Sequence, residues 1–216
     1  MEPPVFATQH GRALPQGAEL AGASIEQLFE AAGALRHGHF LLKSGRHSGR
    51  YLEKFAVLQY PSLAVEIGRR LAGSLVERDP TMVVGPTTGG VLLAFETARQ
   101  LEATLGRIVR GVFAEPLERG MRGLRRGWPV ASSERVVLVD DILTTGASLD
   151  ETARAVRSAG VQPLAATVIV DRSTGPVDVG CPIVALERIE IESWPADECP
   201  ACARGEPFVK PGSSPA

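Results

Sequence analysis

The chain has 216 residues, a formal net charge of −2 and 44% hydrophobic residues, enough for one domain with a sizeable core. So balanced a charge gives no electrostatic footprint for nucleic acid or an anionic membrane, and neither is an expected partner. No apolar run approaches the length that crosses a bilayer. Met1-Glu2-Pro3-Pro4 lacks the basic start and apolar core of a secretory signal, and three cysteines make no disulfide framework, so the expected compartment is the cytoplasm.

Residues 1–23 are rich in Pro, Gly and Ala with no hydrophobic period, and are expected to form a flexible extension. Ser24-Ile25-Glu26-Gln27 has the pattern of a capping box, opening an amphipathic helix through Leu28, Phe29, Ala32 and Leu35. Two strand-like pieces follow, residues 39–42 and 50–54, joined by a basic turn over 43–49 that suits a hairpin. From Pro61 the pattern becomes regular, with helices at about 61–76 and 90–101 and strands at 82–85 and 108–113. An arginine-rich segment runs to Gly127. Beyond it come a strand from Val136, a helix over 147–156, a strand over 164–170 and a last short strand over 183–186. Strands alternating with helices predict an α/β fold with a central parallel sheet and right-handed crossovers. The tail after Trp194 is Pro-rich and loop-like.

The most informative stretch is Val136 to Ser148. Four apolar residues run into Asp140 and Asp141, then Ile142-Leu143-Thr144-Thr145-Gly146-Ala147-Ser148 turns into the next helix. An apolar run of this kind reads as a strand buried on both faces. The turn then lies at the carboxyl end of a strand and the amino end of a helix, where α/β proteins bind ligands. Free N–H groups and the helix dipole make Thr144 to Ser148 a phosphate cradle, while two carboxylates suit sugar hydroxyls or a metal ion. Together they point to a phosphorylated sugar. Gly85-Pro86-Thr87-Thr88-Gly89-Gly90 follows another strand and offers a second anion cradle; it is not a Walker A loop.

The stretch from Val136 resembles the phosphoribosyl-pyrophosphate (PRPP) signature of type I phosphoribosyltransferases, and Gly38 to Arg46 resembles the amino-terminal hood of orotate phosphoribosyltransferases. The resemblance covers residues 24–212. It implies the type I fold with a small hood over residues 24–60. It also implies transfer of the phosphoribosyl group of PRPP to orotate, a step of pyrimidine biosynthesis. PRPP would be held by Asp140, Asp141, Ile142, Leu143, Thr144, Thr145, Gly146, Ala147 and Ser148, with Thr87 and Thr88 at its pyrophosphate. Orotate would meet Lys43, Thr144 and Arg172, the last following Ile169-Val170-Asp171. The resemblance also implies Mg2+ carried by PRPP rather than by protein ligands, and a homodimer. One departure is visible. Relatives usually carry a lysine in the loop after the strand at Phe113, where this chain has Pro116 and no lysine up to Gly127; Arg119 is the expected substitute. Arginine keeps the charge but is no general acid near neutral pH. The competing readings are a transferase for another base, such as a purine, and a PRPP-binding regulator without catalysis.

Cys199-Pro200-Ala201-Cys202 is a C-x-x-C. With only Cys181 besides, a four-ligand metal set is incomplete, so a structural turn in the tail is expected, with metal as the alternative.

Overall fold

A six-stranded sheet organises the chain. The structure, a computed structural model, describes residues 13–42 and 44–211. Its strands are β3 (Met82–Pro86), β4 (Arg110–Pro116), β5 (Arg122–Gly123), β6 (Val136–Leu143), β7 (Ala165–Asp171) and β8 (Ile183–Arg188), in the order β5-β4-β3-β6-β7-β8. All neighbours pair in parallel except β4 and the two-residue β5. A two-stranded antiparallel hairpin, β1 (Leu35–Leu41) and β2 (His47–Leu52), forms a separate sheet.

Parallel central strands need cover on both faces, and the sequence supplies it by alternation. Val83, Val137, Val139 and Ile169 face one core cluster, packed by α2 (Ile25–Ala31), α4 (Pro61–Leu75) and α5 (Gly89–Leu105). Met82, Val84, Val136, Leu138 and Val168 face a second, covered by Leu149, Ala153 and Val156 of α6 (Ala147–Ser158). Every residue of β6 is buried except Ile142, which is partly so. The strand therefore carries both aspartates inside it, where the sequence suggested a strand ending before them.

Several expectations need correction. Of residues 1–23, residues 1–12 lie outside the described residues. The rest is not without regular structure: Gly17–Gly22 forms α1, Leu14 is buried, and Arg70 donates to the carbonyls of Leu20, Ala21 and Ala23. A long-range arginine holds this stretch, and no local pattern encodes that. Helix α2 has the expected capping box of Ser24 and Gln27, and Glu187 of β8 also accepts from the Ile25 N–H at 2.7 Å. It stops at Ala31 rather than running on to Leu35. Gly33 turns left-handed (φ +67°), the Ala34 N–H closes onto Phe29 O at 2.7 Å, and Leu35 opens β1 instead. The hairpin is longer than expected, and Lys54 starts a short helix, α3 (Lys54–Leu58), instead of ending a strand. No described helix is long and apolar enough to cross a membrane.

Candidate active site

The chain leaves β3 toward β4 on one side and β6 toward β7 and β8 on the other, so strand order reverses between β3 and β6. Crevices form at the carboxyl ends of strands at such a switch point. A cleft of about 570 Å³ lies there, lined by the loop after β3 (Thr87, Thr88), the end of β6 (Asp140, Asp141, Ile142) and the following turn (Thr144, Thr145, Ser148). Hood residues Tyr51 and Lys54 and the β7 end, Arg172, close its other walls.

Most of the expected PRPP residues thus converge on one cavity. Leu143, Gly146 and Ala147 contribute no side chain to its wall: Leu143 packs into the second core cluster, and Gly146 caps α6. Gly146 has φ +77°, and a Cβ there would lie 2.3 Å from Val177 Cγ1. Gly146→Ala is accordingly expected to cost about 1–3 kcal/mol in urea unfolding and to distort the cradle; a loss below a few tenths would show that the turn relaxes freely. Glycine is needed again at position 89, where a Cβ would sit 2.3 Å from Asp141 Oδ2.

The two carboxylates differ in setting. Asp141 Oδ1 accepts from Lys54 Nζ at 3.0 Å and from its neighbour's N–H, Ile142, at 2.7 Å; Nζ also lies 2.7 Å from Oδ2. Lys54 was not singled out from the sequence. It comes from the hood side, 87 residues away, so only the fold brings it to the pair. Asp140 accepts from the Asp141 N–H at 2.8 Å. Burial, and then the charge of Asp141, push its pKa up to about 7, so near neutrality it can accept or donate a hydrogen bond.

The raised value also fixes a pH dependence. The folded carboxyl binds its proton more tightly than an unfolded one near 3.9, so its contribution to stability is full below about pH 4 and is lost as pH rises through about 7. Asp140→Asn is expected to flatten the fall in unfolding free energy across that window. An identical slope in the variant would refute the assignment.

Arg172 is partly buried, with its pKa lowered by burial and pulled back up by Tyr51. Among the described residues no carboxylate pairs with its side chain. A cation lining a cleft without a counter-charge is a ready anion site. Lys43 lies outside the described residues, although its neighbours Leu42 and Ser44 line the cleft. Arg119 lies in a single 3-10 turn (Glu118–Gly120) at the tip of the arginine-rich loop, and its side chain is not described. The loop then folds back as β5 against the end of β4. There Arg122, a further residue the sequence did not mark, bonds the Thr87 Oγ1 at 3.2 Å and the Ala114 carbonyl at 3.2 Å, and pairs with Glu151 at 3.1 Å. A guanidinium thus supports the loop after β3, whose Thr87–Thr88 peptide is cis.

Two strand-to-helix turns flanking a carboxylate pair define an α/β protein with a ligand cleft at its switch point. Comparison with known proteins agrees. Residues 57–201 match the phosphoribosyl transferase domain. The chain is 44% identical over 187 residues to the orotate phosphoribosyltransferase of Caldicellulosiruptor bescii, covering 87% of this chain and 95% of that one. It is 43% identical over 189 residues to that of Pelotomaculum thermopropionicum, covering 88% and 96%. Its fold is similar to the crystal structure of orotate phosphoribosyltransferase from Aeropyrum pernix, with TM-score 0.56 and 26% identity over 76% of this chain and 93% of that one. The chain belongs to the phosphoribosyltransferase family, in its orotate phosphoribosyltransferase branch.

Proposed function

We infer that this protein transfers the phosphoribosyl group of PRPP to orotate, giving orotidine 5′-monophosphate and pyrophosphate in pyrimidine biosynthesis. The observation that carries the reading is the switch-point cleft, in which the Asp140–Asp141 pair, both phosphate cradles and Arg172 line one cavity. The ring nitrogen of orotate attacks the anomeric carbon and gives up its N–H proton to solvent, while the bond from that carbon to oxygen breaks and its electron pair leaves on pyrophosphate. Asp140 and Asp141 hold the ribose hydroxyls and favour the positive charge that develops on the ring. The turn Thr144–Ser148 and the first N–H groups of α6 hold the 5′-phosphate. Thr87 and Thr88 face the pyrophosphate, and Arg119 supplies the loop cation that covers it. Arg172, with Lys43 and Thr144, takes the acceptor, whose carboxylate needs a cation.

Among the described residues the carboxylates lining the cleft are Glu53, Asp140 and Asp141, and the last is already held by Lys54. That donor set fits Mg2+ held mainly through the oxygens of PRPP, where it would screen the leaving group's charge. We place the reaction in the cytoplasm, where free thiols persist; all three cysteines are unpaired. We also propose a homodimer. Leu92 and Phe95 of α5 are 50% and 67% exposed on one helix face, an apolar surface that a second copy would cover.

The deciding experiment is pyrophosphate release with orotate, PRPP and Mg2+, followed beside the loss of orotate absorbance. Equal release and consumption is expected. Turnover of adenine but not orotate would establish a purine transferase instead. PRPP binding without release would establish a regulator.

A further inference from the structure

Away from the cleft, four side chains from distant parts of the sequence meet at one point. The ligand atoms of His39, His47, Cys199 and Cys202 all lie within 4.8 Å of one another. We propose that they form a structural zinc site that staples the carboxyl-terminal tail to the hood hairpin.

The C-x-x-C supplies two of the ligands, and Cys199 and Pro200 open the short helix α7 (Pro200–Ala203). The hairpin supplies the other two, His39 from β1 and His47 from β2. The backbone holds them there. His47 exchanges both bonds with Trp194, at 2.8 and 2.9 Å, and Val209 bonds the His39 carbonyl at 2.8 Å and the Leu41 N–H at 2.9 Å. The tail therefore runs along the hairpin on either side of the cysteines.

The distances suit a tetrahedral ion. His39 Nε2 lies 3.5 Å from Cys199 Sγ and 3.6 Å from Cys202 Sγ, and His47 Nδ1 lies 3.4 Å from Cys202 Sγ. Zinc bonds of about 2.0–2.1 Å to nitrogen and 2.3 Å to sulfur put such edges at about 3.6 Å. The two ring nitrogens are closer, 2.6 Å, as when one shared proton joins them. Zinc in the proton's place would open that edge to about 3.3 Å. His39 Nδ1 donates to the Glu206 carbonyl at 2.8 Å, which fixes the tautomer that turns the Nε2 lone pair into the cluster.

The environment is equally suited. His39, His47 and Cys199 are buried, and Phe208 sets its ring edge-on against both imidazoles. Two thiolates neutralise a dication, so the loaded cluster carries no net charge into the interior. Two sulfurs and two imidazoles select zinc over magnesium or calcium. Four protein ligands leave no open position, so the site is structural. Cys181 stands outside the group and packs against the second core cluster.

The staple would act on the cleft, a consequence that rests on the functional reading above. Leu42 and Ser44 in the hairpin turn and Pro211 in the tail all line it, so one ion would clamp two of its walls together.

The test is metal content, which is read without substrate and is indifferent to the acceptor. The full chain, grown with zinc and dialysed against metal-free buffer, is expected to retain about one zinc per chain by mass spectrometry and to release it to a mercurial. Cobalt(II) reconstitution is expected to show tetrahedral d–d bands with thiolate charge transfer, and a zinc chelator is expected to lower Tm. Cys202→Ser and His47→Gln are expected to weaken zinc binding more than about tenfold. Because these variants could misfold, the wild-type measurements decide. Zinc below about one-tenth of an equivalent with no cobalt–thiolate band would overturn the site. So would a Cys199–Cys202 disulfide in protein isolated anaerobically.

Discussion

Asp141→Asn is expected to lower kcat/KM by about 10²–10³, the range seen when one preorganised electrostatic group is removed from a reacting centre. The substitution keeps the shape and keeps an oxygen to accept from Ile142. What it removes is the charge that holds Lys54 and that, in the proposed mechanism, faces the cationic sugar ring. The effect therefore falls on the chemical step. Asp140 gives an internal check: the charge of Asp141 is one cause of its raised pKa, so the variant should titrate Asp140 at lower pH. A fall in kcat/KM of less than about tenfold would remove Asp141 from the ribose.

Arg172→Ala is expected to raise the KM for orotate selectively. A hydrogen bond to a charged group contributes about 1.5–3 kcal/mol, and at about 1.36 kcal/mol per decade that is roughly 10- to 150-fold. In the proposed arrangement PRPP lies on the other side of the cleft, between the loops after β3 and β6, so its KM should stay within about twofold. Stability should hold too, because no described carboxylate is left unpaired when the guanidinium goes. Steady-state kinetics with each substrate varied separates the outcomes. Equal rises in both KM values would mean that Arg172 organises the whole cleft rather than the acceptor.

Reading and structure agree best where the pattern lies in adjacent residues. A strand, two carboxylates and a hydroxyl-glycine turn occupy thirteen consecutive positions, and their chemistry survives folding because β6 and α6 are themselves local structures. The capping box at Ser24 was legible for the same reason. Errors fell where a distant group decides. Residues 17–22 looked irregular because the arginine that ties their region down is Arg70. Helix α2 ended early because Gly33 turns the chain toward a hairpin, an ending that apolar spacing does not encode.

By itself, then, the sequence determined the α/β alternation, the hydroxyl-glycine turn that opens α6 and the cationic residue after β7, each written in contiguous residues whose periodicity and side-chain chemistry need no partner. The tertiary structure alone decided which side chains share a space. It set Lys54 against Asp141 and Arg122 beneath the loop after β3, and it placed His39 and His47 over a C-x-x-C that looked incomplete. Hydrogen bonds and ligand contacts reach only about 3–4 Å. Residues 87 or 160 positions apart come within that reach only when a packed core fixes where each strand and tail must run.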